Sequence, residues 1–158
     1  MVGTIGSAAW AVGVARRALD EIADIAVTGR ARLAQTPLAE QQIFQRDLGL
    51  HTTAVAASRA LIIQAYTEAV DAIAAEAGST DVERLLRLTK VAANHVTRVG
   101  RDAVDFAWSA SGSQGIRNPS RLQRCFRDMH VGAGHMVFDD RNYIELAKVR
   151  LGLEAAAF

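Results

Sequence analysis

Three arginines and two histidines near the end of the chain have residue types and spacing that can do chemistry. Arg121, Arg124 and Arg127 recur every third position within NPSRLQRCFRDMH (118–130), and His130 and His135 follow them. A guanidinium offers a rigid fork of donors that matches phosphate or carboxylate oxygens. An imidazole titrates near neutrality and takes or gives a proton there. The arginines fall at the start of a helix entered from a Gly/Ser-rich loop, SGSQGIRN (111–118). Unpaired N–H groups and the positive end of the helix dipole already favour an anion at such a place. Arg117, Arg121 and Arg124 together with that loop predict a site for a phosphate-bearing ligand or for an acidic surface of another subunit. The competing expectation is a solvated charged face, with Arg124 and Asp128 forming an ordinary i,i+4 pair.

These side chains need a helix to space them. At roughly 100° per residue, Leu122, Phe126, Met129, Ala133 and Met136 fall on one stripe that reads as the core face. Arg121, Arg124, Asp128 and His135 gather opposite, with Arg127 at the margin and His130 at the edge of the core stripe. The two histidines point roughly 140° apart, unlike a zinc-binding i,i+4 pair, so no metal site is expected. The only prolines, Pro37 and Pro119, each mark a helix start. A first helix is expected from about Thr4 to Val27. A second runs from Pro37 to Gly78, about 60 Å at ~1.5 Å per residue. Thr80 and Glu83 make a capping box for a third, reaching about Ala110 with Leu85, Leu88, Val99 and Phe106 at helical spacing around Ala92 and Ala103. Asn118 caps a fourth with Pro119 in its first turn, and Asp139 or Asp140 caps a short fifth ending near Leu151 and Gly152. No segment alternates as a strand does. The expected fold is all-α, one domain over 1–158: an antiparallel bundle of four long helices with a short fifth C-terminal helix.

Composition narrows the partners. The chain has 158 residues, half of them hydrophobic but only 6% aromatic, and a net charge of +1. Alanine supplies much of the apolar share, which suits close helix approach. A near-neutral chain is no general nucleic-acid binder. Cys125 is the only cysteine, so no disulfide forms within the chain and a Cys-rich metal site is excluded, as in a reducing, cytoplasmic setting. The start, MVGTIGSAAWAVGVARR, is too short to span a bilayer and lacks a basic region ahead of its apolar run. Neither a membrane partner nor a signal peptide is therefore expected. His51 and His95 sit inside long helices and read as packing or surface residues. Trp10 and Trp108 read as anchors, with Trp108 close enough to the loop to line a pocket, and Cys125 reads as packing.

The order Pro119, Leu122-Gln123-Arg124, Phe126, Arg127-Asp128 and His135, followed by DDRNYIELAKVRLG, resembles the end of the C-terminal helical domain (type 2) of the acyl-CoA dehydrogenase superfamily. The nearest branch is the flavin-dependent oxygenases of aromatic compounds. The Ala-rich first helix, the turn TGRARLAQTP and the long second helix are similar too, so the resemblance covers essentially the whole chain. It implies a flavoprotein oxidoreductase, a monooxygenase or hydroxylase, built as a helical bundle in an oligomer with the flavin between subunits. On that basis Ser111, Gly112, Ser113, Arg117, Arg121 and Arg124 lie near the phosphate-bearing end of the flavin, and Arg30 and Arg32 reach a neighbour's cofactor. His135 best matches the family's late histidine and His130 is second; either would hydrogen-bond at the flavin or help deprotonate a phenol. Complete members also carry an N-terminal helical domain and a central β-domain, which the resemblance does not cover. A flavin (FAD or FMN) is therefore expected only with those domains or with a partner chain carrying them, and this chain alone is expected to be inactive. The loop SGSQGIRNPSR is longer than the family pattern, and the glutamate of acyl-CoA dehydrogenases proper has no assigned position. The partners implied are further copies (a dimer or tetramer) or a chain supplying the other domains. The alternatives are a non-catalytic oligomerisation or partner-binding module, an acyl-CoA dehydrogenase proper, and an unrelated bundle that binds an acidic protein through its arginines.

Overall fold

The computed structural model describes residues 2–29, 36–115 and 120–153. Five α-helices appear among them: α1 (Val2–Thr28), α2 (Gln42–Ala74), α3 (Ser79–Ser111), α4 (Arg121–Ala133) and α5 (Arg141–Arg150). Short 3-10 turns occupy Leu38–Glu40, Gly112–Gln114 and Met136–Phe138. No strand occurs among the described residues, and none of their helices is long and apolar enough to cross a membrane.

Alanine decides how the bundle packs. Ala8, Ala11, Ala15 and Ala18 are fully buried along one face of α1, and Ala92, Ala93, Ala103 and Ala107 are fully buried on α3. Side chains this small let helix axes close to the short end of the usual 8–10 Å spacing. Larger groups then fill the ends and the seam under α4, where Ile22, Val104, Leu122 and Met129 are all fully buried. Each such aliphatic side chain contributes about 1.5–3 kcal/mol by leaving water.

Side-chain contacts give the direction of each helix. Tyr66 of α2 meets the hydroxyls of Thr4 and Thr89 at one end. At the other end Phe44 stacks on Phe106 with ring centroids 5.8 Å apart, so α2 opposes α1 and α3. Helix α4 opposes α3 as well: Phe126 stacks on Trp108, and one turn further His130 meets Asp105. Beyond α4 the chain keeps its heading. Asn94 Nδ2 donates to the Asp139 carbonyl at 3.0 Å, and the guanidinium of Arg87 lies 3.9 Å from Glu145 of α5. The result is an up-down-up-down antiparallel bundle, with α4 and α5 laid end to end along α3.

The all-α architecture is as expected, and several boundaries differ. The fourth helix has 13 residues and is not long. Gly132 and Gly134 lower its helical stability, and Gly134 is where it ends. Met136 therefore leaves the core stripe and is 86% exposed. Pro37 precedes the Leu38–Glu40 turn, while α2 itself begins at Gln42. That helix leaves off at Ala74, where Glu76 turns the chain with φ 51°. Its 33 residues give about 50 Å at ~1.5 Å per residue. The Thr80–Glu83 capping box does not form: Gly78 is the N-cap with no side-chain bond, and Glu83 instead accepts from buried Arg87 at 2.6 Å. Ser120 caps α4, its Oγ accepting from the Gln123 N–H at 3.4 Å. Asn118 and Pro119 lie outside the described residues.

Candidate functional site

The loop after α3 is set by Gly112, whose φ of 56° lies in the left-handed region that glycine adopts without strain. Ser111 turns inward: it is buried and its hydroxyl donates to the Trp108 carbonyl at 2.7 Å. Gly112, Ser113 and Gln114 are exposed. The loop lies beside the end of α1 and the start of α4, and together they enclose an open hollow of about 450 Å³. Arg17, Glu21, Gln114, Ser120 and Arg121 are among its lining residues. Its charge is mixed. Arg121 stands 3.7 Å from Glu21, which also pairs with Arg17. Arg124 and Arg127 are exposed on α4. The i,i+4 pair of Arg124 with Asp128 is not made; the ion pair of this face reaches across to α1 instead. Arg30, Arg32 and Arg117 lie outside the described residues.

Nine residues beyond Arg121, about 13 Å along the helix, a second cluster occupies the seam between α3 and α4. His130 Nε2 lies 2.7 Å from Asp105 Oδ1, with both side chains about two-fifths exposed. The His130 ring tilts at 47° over Phe126, centroids 4.4 Å apart, and Phe126 stacks on Trp108 at 4.7 Å. A carboxylate accepts and does not donate, so a neutral His130 carries its proton on Nε2 and leaves Nδ1 as the open acceptor.

His135 is not on the outer face of α4. It lies beyond the helix end as the N-cap of the Met136–Phe138 turn, where its Nδ1 accepts from the Val137 N–H at 3.2 Å. Its neutral form therefore also carries the proton on Nε2, but here that nitrogen is the open one. The Phe138 ring meets it edge-on at 6.5 Å. Phe138 in turn lines a hollow of about 430 Å³ with Asn94, Thr97, Arg98, Arg101 and Asp139. The two histidines thus present opposite hydrogen-bonding ends, an acceptor at His130 and a donor at His135.

Three expected site residues are thus grouped at one end of the bundle, Gly112, Ser113 and Arg121, with Arg124 a turn further along α4. The histidines form a separate region, and Ser111 faces the interior. Asp105 has no local signal in the sequence, because its partner lies 25 residues further along the chain. Cys125 is buried, and burial, with smaller contributions from Glu21 and Asp128, pushes its thiol pKa up, the opposite of what a nucleophile needs. His51 stacks on Phe106 at 4.7 Å. No three His, Cys, Asp or Glu side chains gather as a metal site among the described residues.

Comparison with known proteins identifies the family. The family model described as acyl-CoA dehydrogenase, C-terminal domain matches residues 5–140. Indole-3-acetate monooxygenase of Pseudomonas putida is 34% identical over 138 residues, which span 84% of this chain and 33% of that protein. The HsaA monooxygenase from M. tuberculosis is similar in structure, with a TM-score of 0.79 at 22% identity, over 98% of this chain and 40% of its own. XiaF from Streptomyces sp., solved in complex with FADH2 and glycerol, has a TM-score of 0.86 at 19% identity, over 98% and 39%. The 3-HSA hydroxylase from Rhodococcus sp. RHA1 has 0.83 at 20% identity, over 98% and 41%. At these identities the structural likeness carries the fold alone. The chain spans about a third of the curated relative and about two-fifths of the solved structures. With residues 5–140 matched, the chain belongs to the acyl-CoA dehydrogenase C-terminal domain family.

Proposed function

We propose that this chain acts as the C-terminal bundle of a flavin-dependent monooxygenase of the acyl-CoA dehydrogenase type, binding the phosphate-bearing end of the flavin and contributing histidines beside the reacting ring. The observation that carries the reading is the 34% identity to an indole-3-acetate monooxygenase along 84% of the chain. The cofactor of this reading is a flavin; XiaF, alike in fold, is solved with FADH2.

The residues present fit such a group in part. Exposed Gly112 and Ser113, the capped start of α4, and Arg121 and Arg124 bring N–H, hydroxyl and guanidinium donors to one end of the bundle, a donor set suited to a diphosphate. Glu21 offsets some of that charge, and Ser111 has no outward hydroxyl to offer. Arg30, Arg32 and Arg117 belong to the same proposal. When bound, the flavin supplies the oxygen chemistry. The chain's own residues orient it and handle protons, His135 through its Nε2–H and His130 through Nδ1.

The same reading makes the chain a homo-oligomer, or one part of a complex with a chain supplying the rest of the family fold, in the cytoplasm. Its oligomer half is supported by an apolar trench between α1 and α2. Two hollows of about 450 and 380 Å³ meet there at Arg16 and Arg59, with Ile5 and Ile63 exposed along it.

The test is to purify the chain alone and after co-expression with a polypeptide supplying the other two-thirds of a relative's length. Yellow flavin absorbance should co-purify with the complex and fall in an Arg121→Glu, Arg124→Glu variant. Losing even one charge-assisted contact at about 1.5–3 kcal/mol weakens FAD roughly 10- to 150-fold. A complex that assembles without colour rejects the reading.

A further inference from the structure

His130 and Asp105 form the one pairing of a histidine with a carboxylate among the described residues. It is contributed by two different helices and backed by two aromatic rings. We propose that Asp105 is a positioning residue: it holds His130 so that Nδ1 is the proton acceptor for an aromatic ligand bearing an acidic hydroxyl. The choice of ligand rests on the oxygenase reading above; the dyad itself does not.

Asp105 accepts from Nε2 at 2.7 Å, which leaves the lone pair of a neutral ring on Nδ1. Phe126 under the ring, at 4.4 Å, and Trp108 under Phe126, at 4.7 Å, limit its rotation. The carboxylate is thus kept on one nitrogen and the lone pair on the other. With about two-fifths of the imidazole exposed, a ligand can approach it.

The step balances without a further reactant. The ligand O–H bond breaks, its electron pair stays on oxygen, and the proton forms an N–H bond at Nδ1. The resulting imidazolium carries protons on both nitrogens, and the Asp105 carboxylate faces its positive charge across the existing hydrogen bond. Loss of the Nδ1 proton to water restores the base. Asp105 touches neither the ligand nor the flavin in this scheme and acts through His130.

The experiment reads the tautomer directly on this chain. Histidine rings labelled with nitrogen-15 are followed by two-bond proton–nitrogen correlation at about pH 8, above the ordinary histidine range, with His130→Gln assigning the signal. Wild type is expected to show the neutral Nε2–H form. In Asp105→Asn the amide can donate to Nε2, so the major form should change to Nδ1–H, and Asp105→Glu should restore Nε2–H with little change in melting temperature. A ring protonated on both nitrogens in wild type would mean an interhelix ion pair and overturn the proposal. An unchanged tautomer in Asp105→Asn would overturn it too, and the wild-type spectrum decides by itself if that variant does not fold. With 4-nitrophenol as the probe, wild type should bind it as the phenolate about 10-fold more tightly than Asp105→Asn, the effect of one charge-assisted hydrogen bond. Equal binding, or none to wild type, overturns the ligand assignment. A correct tautomer in a chain whose complex gains no flavin rejects the oxygenase reading and leaves the dyad standing.

Discussion

Along each of two flanks of helix α3, a histidine from the neighbouring helix lies against an aromatic ring. On the α2 side His51 lies nearly parallel to Phe106, at 18° and 4.7 Å, and Phe44 covers the next position. On the α4 side His130 lies on Phe126, which lies on Trp108. Ring separations are comparable, 4.7 and 4.4 Å, yet of the two only His130 has a carboxylate on a ring nitrogen. Stacking alone fills space between helices, whereas stacking together with a fixed acceptor also settles which nitrogen remains open. The flank built by the short helix α4 is therefore the one with chemical direction, and the flank built by the long helix α2 is structural.

The difference between the flanks rests first on how α4 is seated. Met129→Ala removes a fully buried side chain beneath the His130 flank and should cost about 2–5 kcal/mol in denaturant unfolding. A loss below that range would mean that α4 is only loosely seated and that the dyad has no firm base. Gly132→Ala tests the same seat from the α1 side. A Cβ there would run into the Trp10 ring, so a loss of about 1–3 kcal/mol is expected. The penalty should shrink when Trp10 is replaced by Ala in the same chain, as coupled neighbours do.

On the α2 flank, His51→Gln should cost about 0.5–1.5 kcal/mol of ring packing while leaving the His130 tautomer and 4-nitrophenol binding unchanged. A change in either would mean that the two flanks are coupled through α3.

A smaller, pH-dependent effect separates packing from reactivity within α4. Burial raises the Cys125 thiol pKa in the folded chain, so the unfolded thiol ionises first. Its contribution to stability is complete below the unfolded thiol's range, near 8.5, and is lost as pH rises through the raised folded value. Urea midpoints should thus fall more steeply above about pH 8.5 in wild type than in Cys125→Ala. Parallel slopes would show a thiol open to water. Buried Tyr66 shifts in the same direction and cancels in that difference.

What could be read in advance divides along the same line. The long helices were legible because their signals are local: buried alanines at helical spacing and breakers between them. The ends were less so, since a cap is settled by competition. Glu83 pairs with Arg87 instead of closing a box with Thr80, and Gly78 is left as the cap. Extending one helical period through Gly134 put Met136 in the core and His135 on the outer face of α4. The chain instead leaves the helix there, exposing Met136 and turning His135 into a cap. Arg121 and Arg124 were legible as surface cations at a helix start, but the Glu21 that tempers Arg121 comes from α1, a hundred residues earlier. Asp105 was invisible for the same reason, since only folding brings it to His130.

The close approach of Trp10 to Gly132 has an optical consequence. The chain has two tryptophans, and both indoles lie against α4, Trp10 on Gly132 and Trp108 on Phe126. Intrinsic fluorescence therefore reports on the seating of this one short helix and hardly at all on α2 or α5. If α4 lifts while the three long helices stay together, emission will move to the red with little loss of helical circular dichroism, and the surface that carries the dyad can be watched separately from the scaffold beneath it.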